Sequence, residues 1–274
     1  QEYLSPGDGA GVEEDLLFRA YPSYLNVAAV ETPQTDIVYR MINNKYQLQE
    51  KMALFWHMIF CAGDNKVDNA RTTAMQYDTF REKGMGNFRD LLLWLSTDPC
   101  MLYYLDNIES HKVAVNENYG RELLELFSLG VGMDGKANYG EDDVKACARA
   151  FTGWNLAPTI PVFPNGRSPF EFRFDPADHD DSDKTFLGET GDWNGEDIVN
   201  IICKQPAAAR YVSRKLYDFF VADELPVPSW TLSEPRDPEA IKILEKAYFD
   251  SGYEIGAMLK ALFTSDFFKS EAVH

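Results

Sequence analysis

Through most of the chain, apolar side chains recur at intervals of three and four residues, the period of an amphipathic helix. Residues 36–62 follow that period with a break at Asn43-Asn44, and 48–60 is apolar nearly all the way round, which predicts a buried central helix. Its narrow polar strip holds Glu50 and His57, and Gly63 ends it. Helices are predicted at 67–83, stopped by Gly84 and Gly86, and at 88–96. Asp98-Pro99 reads as an N-cap followed by proline at the first helical position, opening a short helix to residue 105. Residues 106–115 read as a loop with an exposed His111.

The pattern is sharpest at 116–154, where two helices joined by a glycine-containing turn are predicted. At 100° per residue, Tyr119, Leu123, Leu126 and Phe127 share one arc of the first helix. Glu117, Arg121 and Glu125 share the opposite arc, spaced for opposite charges to pair. Glu122 breaks the pattern, because it falls at the edge of the apolar arc between Leu126 and Leu129. A carboxylate there has to be paired, protonated or bound to a cation. In the second helix Asp142 and Asp143 suit the N-terminal end of the helix dipole, and Cys147 falls on the buried face. Arg149 and Trp154 fit either solvent or a neighbour.

Helical period then disappears. Pro158, Pro161, Pro164 and Pro169 crowd the next stretch, and Phe170-Glu171-Phe172-Arg173-Phe174 alternates with period two, as a half-buried strand does. Thr185-Phe186-Leu187-Gly188 is its expected hairpin partner. Between them, residues 175–183 hold five aspartates and His179. Helices resume at 195–203, at 206–221 with Tyr211, Leu216, Phe219 and Phe220 inward, after Asp237-Pro238, and at 253–263. The expected fold is mainly α: a multi-helix orthogonal bundle with a Pro/Asp-rich insertion carrying a short β-hairpin. Residues 1–35 are expected to form an irregular arm with a short helix at 12–20. Residues 36–274 are expected to form one helical domain with its insertion at 155–195.

Composition narrows the function classes. The chain has 274 residues, 45% of them apolar, and a mean hydropathy of -0.34. No apolar run approaches the roughly 18 residues that span a bilayer, and no basic segment followed by an apolar one opens the chain. A first residue of Gln1 is expected of a mature or trimmed form. The net charge of -18 argues against nucleic acid and against an anionic membrane surface. It fits cation binding or simple solvation. Cys61, Cys100, Cys147 and Cys203 form no CxxC motif and read as small core residues, with disulfides open to an exported chain.

Three kinds of chemistry can be weighed. A metal or acid/base cluster would gather His57, Glu117, Glu122, His179 and Asp180, as bundle cores do with divalent zinc, manganese or iron, although neither HExxH nor ExxH occurs. The competing reading pairs Glu117 and Glu122 with Arg121, Arg149 or Arg210 as structural bridges. Calcium would use Asp178, Asp180, Asp181 and Asp183, but Phe186 stands where an EF-hand loop begun at Asp181 needs glycine. Ser96, Ser128 and Ser182 lack a nucleophile elbow, and no Walker motif occurs.

Four separated stretches occur in a distinctive order: Met52-Ala53-Leu54-Phe55-Trp56-His57-Met58-Ile59-Phe60; Gly86-Asn87-Phe88-Arg89-Asp90-Leu91-Leu92; 116–127 together with Ala148-Arg149-Ala150-Phe151-Thr152-Gly153-Trp154; and His179-Asp180 followed by Lys184-Thr185-Phe186-Leu187-Gly188. Over roughly 46–268 the chain thereby resembles the bacterial family catalogued as domain of unknown function 1800. The resemblance implies a longer parent chain, export, and a gene neighbour resembling alkaline phosphatases, but no settled activity. Ile59 replaces the second histidine of the family's Phe-Trp-His-x-His-Phe pattern, and Ser182 replaces the glycine of His-Asp-x-Gly.

Two functions are therefore weighed. In the first, an exported hydrolase of an extracellular polymer or ester uses His57 as ligand or base, Glu122 as ligand or acid, and Arg149 as anion holder. In the second, a non-catalytic cell-surface or assembly protein uses the same charges structurally and meets a partner protein or further copies of itself.

Overall fold

The computed structural model describes residues 31–158 and 169–270. The expected arm up to residue 30, its helix at 12–20, and Pro161 and Pro164 lie outside the described residues. Those described are mainly helical, with three two-stranded sheets among them. The elements divide between two compact units. The first comprises Gln1–Met85, Thr97–Leu105 and Asn155–Phe174; the second comprises Gly86–Ser96, Asp106–Trp154 and Asp175–His274.

In the first unit, α1 (Glu31–Asn43) begins five residues before the expected start, and α2 is Gln47–Ile59. Asn44 separates them because its side chain engages its surroundings: Nδ2 donates to Glu50 Oε1 at 2.5 Å and Oδ1 accepts from Tyr46 N at 2.9 Å. Helix α2 buries Met52, Ala53, Phe55 and Trp56 but exposes Lys51 and Met58, so it is not buried all round as its composition predicts. Glu50, only 2% exposed, is held by Arg81 Nε at 2.9 Å as well as by Asn44. The Trp56 indole donates to Gly84 O at 2.7 Å, and a Cβ on Gly84 would stand 2.7 Å from that ring. Glycine is thus required for the close approach.

The helix expected at 67–83 is divided into α3 (Asp64–Val67) and α4 (Ala70–Lys83). Asp68 takes a left-handed φ of 46°, and Asn69 Oδ1 caps α4 by accepting from Thr72 N at 3.1 Å. Helix α5 (Phe88–Thr97) belongs to the second unit except for its last residue, and α6 (Pro99–Tyr104) belongs to the first. Asp98 caps α6 as its sequence predicts, accepting from Met101 N at 3.1 Å.

In the second unit, α7 (Asn118–Glu122) passes directly into a π-helical segment, Leu123–Ser128, then to the strands β1 (Gly132–Met133) and β2 (Lys136–Ala137) and to α8 (Glu141–Ala150). The π segment corrects the helical wheel. Wider turns rotate later residues away from their 100° positions, so Leu124 is fully buried while Leu126 is 43% exposed. A Cβ on Gly120 would lie 2.9 Å from Ala148 N, so the glycine permits α7 and α8 to approach at backbone distance.

Strand β3 (Trp154–Leu156) pairs with β4 (Phe172–Phe174), and β5 (Lys184–Phe186) pairs with β6 (Glu189–Gly191). The expected pairing of 170–174 with 185–188 is therefore wrong: Leu187 and Gly188 form the turn of a separate hairpin, both with positive φ. The remaining helices are α9 (Gly195–Cys203), α10 (Pro206–Phe220), α11 (Pro238–Asp250) and α12 (Ile255–Thr264), close to their predicted bounds. Asp237 does not cap α11; its carboxylate accepts from the Tyr217 hydroxyl. All four cysteines are free, and Cys61 is exposed, contrary to its reading as a core residue.

Candidate functional site

Arg149 sits in the last turn of α8, where backbone carbonyls favour a cation. Its Nε lies 2.6 Å from Asp180 Oδ2. Its Nη2 reaches Asp180 Oδ1 at 3.4 Å, the Ser182 hydroxyl at 2.5 Å and the Asp183 carbonyl at 3.3 Å. The same aspartate is fixed from behind: Thr152 Oγ1 accepts from Asp180 N at 2.8 Å and donates to Arg149 O at 2.7 Å. Lys184, 1% exposed, donates to the carbonyls of Asp180 at 2.6 Å and Ser182 at 2.9 Å. His179 Nδ1 lies 2.9 Å from Thr152 O.

These contacts close the 175–188 loop onto the end of α8. Gly153 makes the join, with a φ of 76° and no space for a side chain: a Cβ would stand 2.4 Å from Asp175 O. Burial alone would raise the Asp180 pKa, but the hydrogen bonds from Arg149 and Ser182 overcome it and hold the carboxyl below the usual range. Burial lowers the Lys184 pKa against the pull of Asp180. Asp178 is engaged too, with His111 Nδ1 at 2.5 Å; His111 is half-exposed and bonded instead of free in solvent.

A second set of charges gathers around α7. Arg121 holds Glu141 through two nitrogens at 2.9 and 2.8 Å and reaches Glu117 at 3.3 Å. Glu125 takes the Tyr139 hydroxyl at 3.4 Å in place of Arg121. Glu122 is half-buried, and no hydrogen bond or ion pair joins its side chain to another described residue. Burial raises its pKa first and the Glu125 charge second, while Arg121 opposes them. The surroundings thus shift Glu122 toward the neutral acid relative to a free carboxylate.

His57 belongs to the first unit, whereas Glu117, Glu122, Arg149, His179 and Asp180 belong to the second. The His57 ring packs edge-on against Tyr77 at 5.6 Å, its Nδ1 is buried without a hydrogen-bond partner, and burial lowers its pKa. Among the described residues no group of three or more His, Cys, Asp or Glu side chains is placed to hold a metal ion. The donor chemistry agrees, since the Asp180 carboxylate is neutralised by a guanidinium. The residues described do not fit a divalent zinc, manganese, iron or calcium ion.

Ser96 and Ser128 offer no nucleophile. Ser96 accepts from the Tyr119 hydroxyl at 2.7 Å and donates to Leu92 O, and Ser128 donates to Leu123 O. Thr152, Lys184 and Glu141 join these networks without having been singled out by sequence. Lys184 had a signal, being the one cation in the aspartate-rich stretch 175–184. Thr152 had a weaker one, three residues after Arg149 at a predicted helix end.

A family model described as protein of unknown function (DUF1800) matches residues 22–274. The chain belongs to that family. No curated protein and no solved structure matches it. Two of the stretches that carry the resemblance, 148–154 and 179–188, are the two halves of the Arg149–Asp180 closure in this DUF1800 chain. No helix among its described residues is long and apolar enough to cross a membrane.

Proposed function

We propose that this DUF1800 chain is a non-catalytic binding protein of the exported cell surface, in which the charges singled out above are structural. One observation carries the reading. Arg149, the residue best suited to hold a substrate anion, is committed to Asp180, Ser182 and the Asp183 carbonyl, which are parts of its own fold. A guanidinium so engaged must break a charge-assisted network before it binds anything else. Glu117 is likewise committed to Arg121. Export rests on the family resemblance and is compatible with the acidic surface.

The test pairs turnover with assembly. The protein is assayed against chromogenic ester, phosphate, glycoside and peptide substrates, alongside Arg149→Gln and His57→Ala. The reading expects no turnover above buffer, together with concentration-dependent self-association or stoichiometric crosslinking to a co-expressed partner. Saturable hydrolysis that disappears in either variant overturns it.

A further inference from the structure

The second unit contains a cleft of about 280 Å³ that none of the charges above uses. It lies between β6, α9 and the turn before α12. Ligand clefts run from roughly 300 to 1,000 Å³, so this one accommodates a single ring or a short chain end. Two aromatic side chains, Trp193 and Tyr253, form part of its wall.

Both aromatics are held in advance. The Trp193 indole donates to Glu189 O at 3.2 Å, and its ring lies over Gly191, where a Cβ would come within 2.8 Å of it. Tyr253 has a φ of 76°, which a bulky side chain rarely adopts. The turn imposes that conformation from both sides. Tyr253 N donates to Tyr248 O at 2.7 Å, Tyr253 O accepts from Phe88 N at 2.9 Å, and Asn87 Nδ2 donates to Gly252 O and Glu254 Oε1 at 2.8 and 2.9 Å. Strain of this kind persists only where the surroundings over-determine it, and it concentrates at binding sites. The conformation places a tyrosine in the cleft wall, packed against Tyr248 at 4.9 Å between ring centres.

The polar groups select the class of ligand. Two cations, Arg89 and Lys204, and two carboxylates, Glu189 and Asp197, line the cleft, so the wall carries no excess of either sign. Arg89 is already engaged by Asp90 at 2.9 Å and Glu196 at 2.8 Å. It also donates to Asn200 Oδ1 at 2.5 Å, which leaves the Asn200 amide protons as the donors. Asp197 accepts from Asn194 N through Oδ2 only, leaving Oδ1 as an acceptor. An anion would need net positive charge and would meet two carboxylates; a hydrocarbon would strand polar groups on both sides. A ring with apolar C–H faces and a rim of hydroxyls, each donating and accepting, satisfies the whole set.

We propose that this cleft binds a neutral saccharide unit, seated against Trp193 and Tyr253 and hydrogen-bonded by Asn200, Lys204, Glu189 and Asp197. The inference does not depend on whether the chain is catalytic, because it uses none of the residues of the Arg149–Asp180 closure.

Saturation-transfer NMR and tryptophan fluorescence on the full chain test it, with glucose, galactose, N-acetylglucosamine and maltose as probes. Glucuronate and inorganic phosphate serve as anionic controls and glycerol as a simple polyol. At least one neutral sugar is expected to bind saturably, with Kd on the order of 1 mM or tighter. Trp193→Ala should weaken it about tenfold or more, and Lys204→Met, an exposed change that spares the fold, should weaken it measurably. Trp94→Phe, on α5 and outside the cleft wall, should leave it unchanged. The proposal is overturned if no neutral sugar gives saturable transfer, if glucuronate or phosphate binds more tightly, or if binding is indifferent to both Trp193→Ala and Lys204→Met.

Discussion

Arg149 Nε and Asp180 Oδ2 stand 2.6 Å apart, thirty-one residues from each other in sequence, and their contact fixes the aspartate-rich loop to the end of α8. Both side chains are largely shielded from solvent, so removing one strands the other. Arg149→Met is expected to destabilise the second unit by about 1–3 kcal/mol. Adding Asp180→Asn should recover part of that loss, because the orphaned charge is then gone. The depressed Asp180 pKa sets the direction with pH. Its contribution is complete above the unfolded value near 4 and is lost as pH falls through the folded value. Urea denaturation of the wild type and the two variants, repeated on going below about pH 4, measures both effects; equal midpoints throughout would contradict them.

The Tyr211 hydroxyl of α10 donates to Leu126 O inside the π segment. Such a segment leaves carbonyls without their usual helical partners, and Tyr211 satisfies one of them. Tyr211→Phe keeps the ring in place and removes only that donor, at an expected cost of about 1–2 kcal/mol. Amide exchange across 123–130 should quicken, while exchange in α12 should not. Unchanged protection there would mean that the π turn holds without the tyrosine.

These two relationships mark where the sequence becomes hard to read. The Asp98 cap, the Asn43-Asn44 break and the bounds of α9 to α12 are local, decided by residues within a turn of one another, and all are legible. The π segment is not, because a wheel drawn at 100° per residue assumes the turn it is used to infer, and Leu126 is misplaced for that reason. The β4 partner is misread because strand pairing is non-local: 170–174 finds residues behind it in the chain, and 185–188 folds on itself through two left-handed residues. Glu122 is half-buried, as its place at the edge of the apolar arc implies. Its neighbours are decided by α8 and by Tyr139, which periodicity does not rank.

Asp98 gives the first unit an inverse response to pH. Burial raises its pKa to about 7, although hydrogen bonds from Gln76 and the backbone of Met101 and Cys100 oppose the shift. Between the unfolded value near 4 and pH 7 the folded chain holds a proton that the unfolded chain has released, so stability falls as pH rises through that window. Asp98→Asn imitates the protonated form and can still cap α6. It should remove this slope while changing stability at pH 5 by less than about 1 kcal/mol. Asp98→Ala should cost about 1–3 kcal/mol, since Gln76 and Met101 both lose their acceptor. Denaturation curves from pH 4 to 8 decide it, and a slope that survives Asp98→Asn would assign the titration to another group. His57 acts in the opposite sense: its lowered pKa favours the neutral ring and costs stability as pH falls below about 6.5.

Gly153 and Gly188 separate two costs of replacing a left-handed glycine. Both have positive φ, 76° and 86°. A methyl group on Gly188 meets nothing within 4 Å, so Gly188→Ala bears only the backbone penalty, about 1–2 kcal/mol. On Gly153 the methyl would meet Asp175 O at 2.4 Å and His179 N at 3.1 Å, both of them backbone atoms that cannot rotate away. Gly153→Ala should therefore cost at least about 2 kcal/mol more than Gly188→Ala and release the 175–183 loop to proteolysis. Similar melting points for the two variants would show that the loop yields at little expense.

Glu122 offers the sharpest choice between a structural and a chemical role for the charges on α7. Its carboxylate is half-buried and has a like charge in Glu125, which together outweigh the opposing Arg121, so its pKa rises on folding. A group whose pKa rises on folding costs stability once the pH exceeds its unfolded value. Glu122→Gln removes that cost while keeping size and hydrogen-bonding capacity. It should leave stability at pH 7 unchanged or increase it by up to about 1 kcal/mol, with less effect at pH 4, where the unfolded acid also takes up its proton. Were Glu122 instead holding a cation or a cationic ligand, the same substitution would destabilise the chain at pH 7 and abolish that binding. Denaturation midpoints at the two pH values, with and without added divalent ions, separate these outcomes.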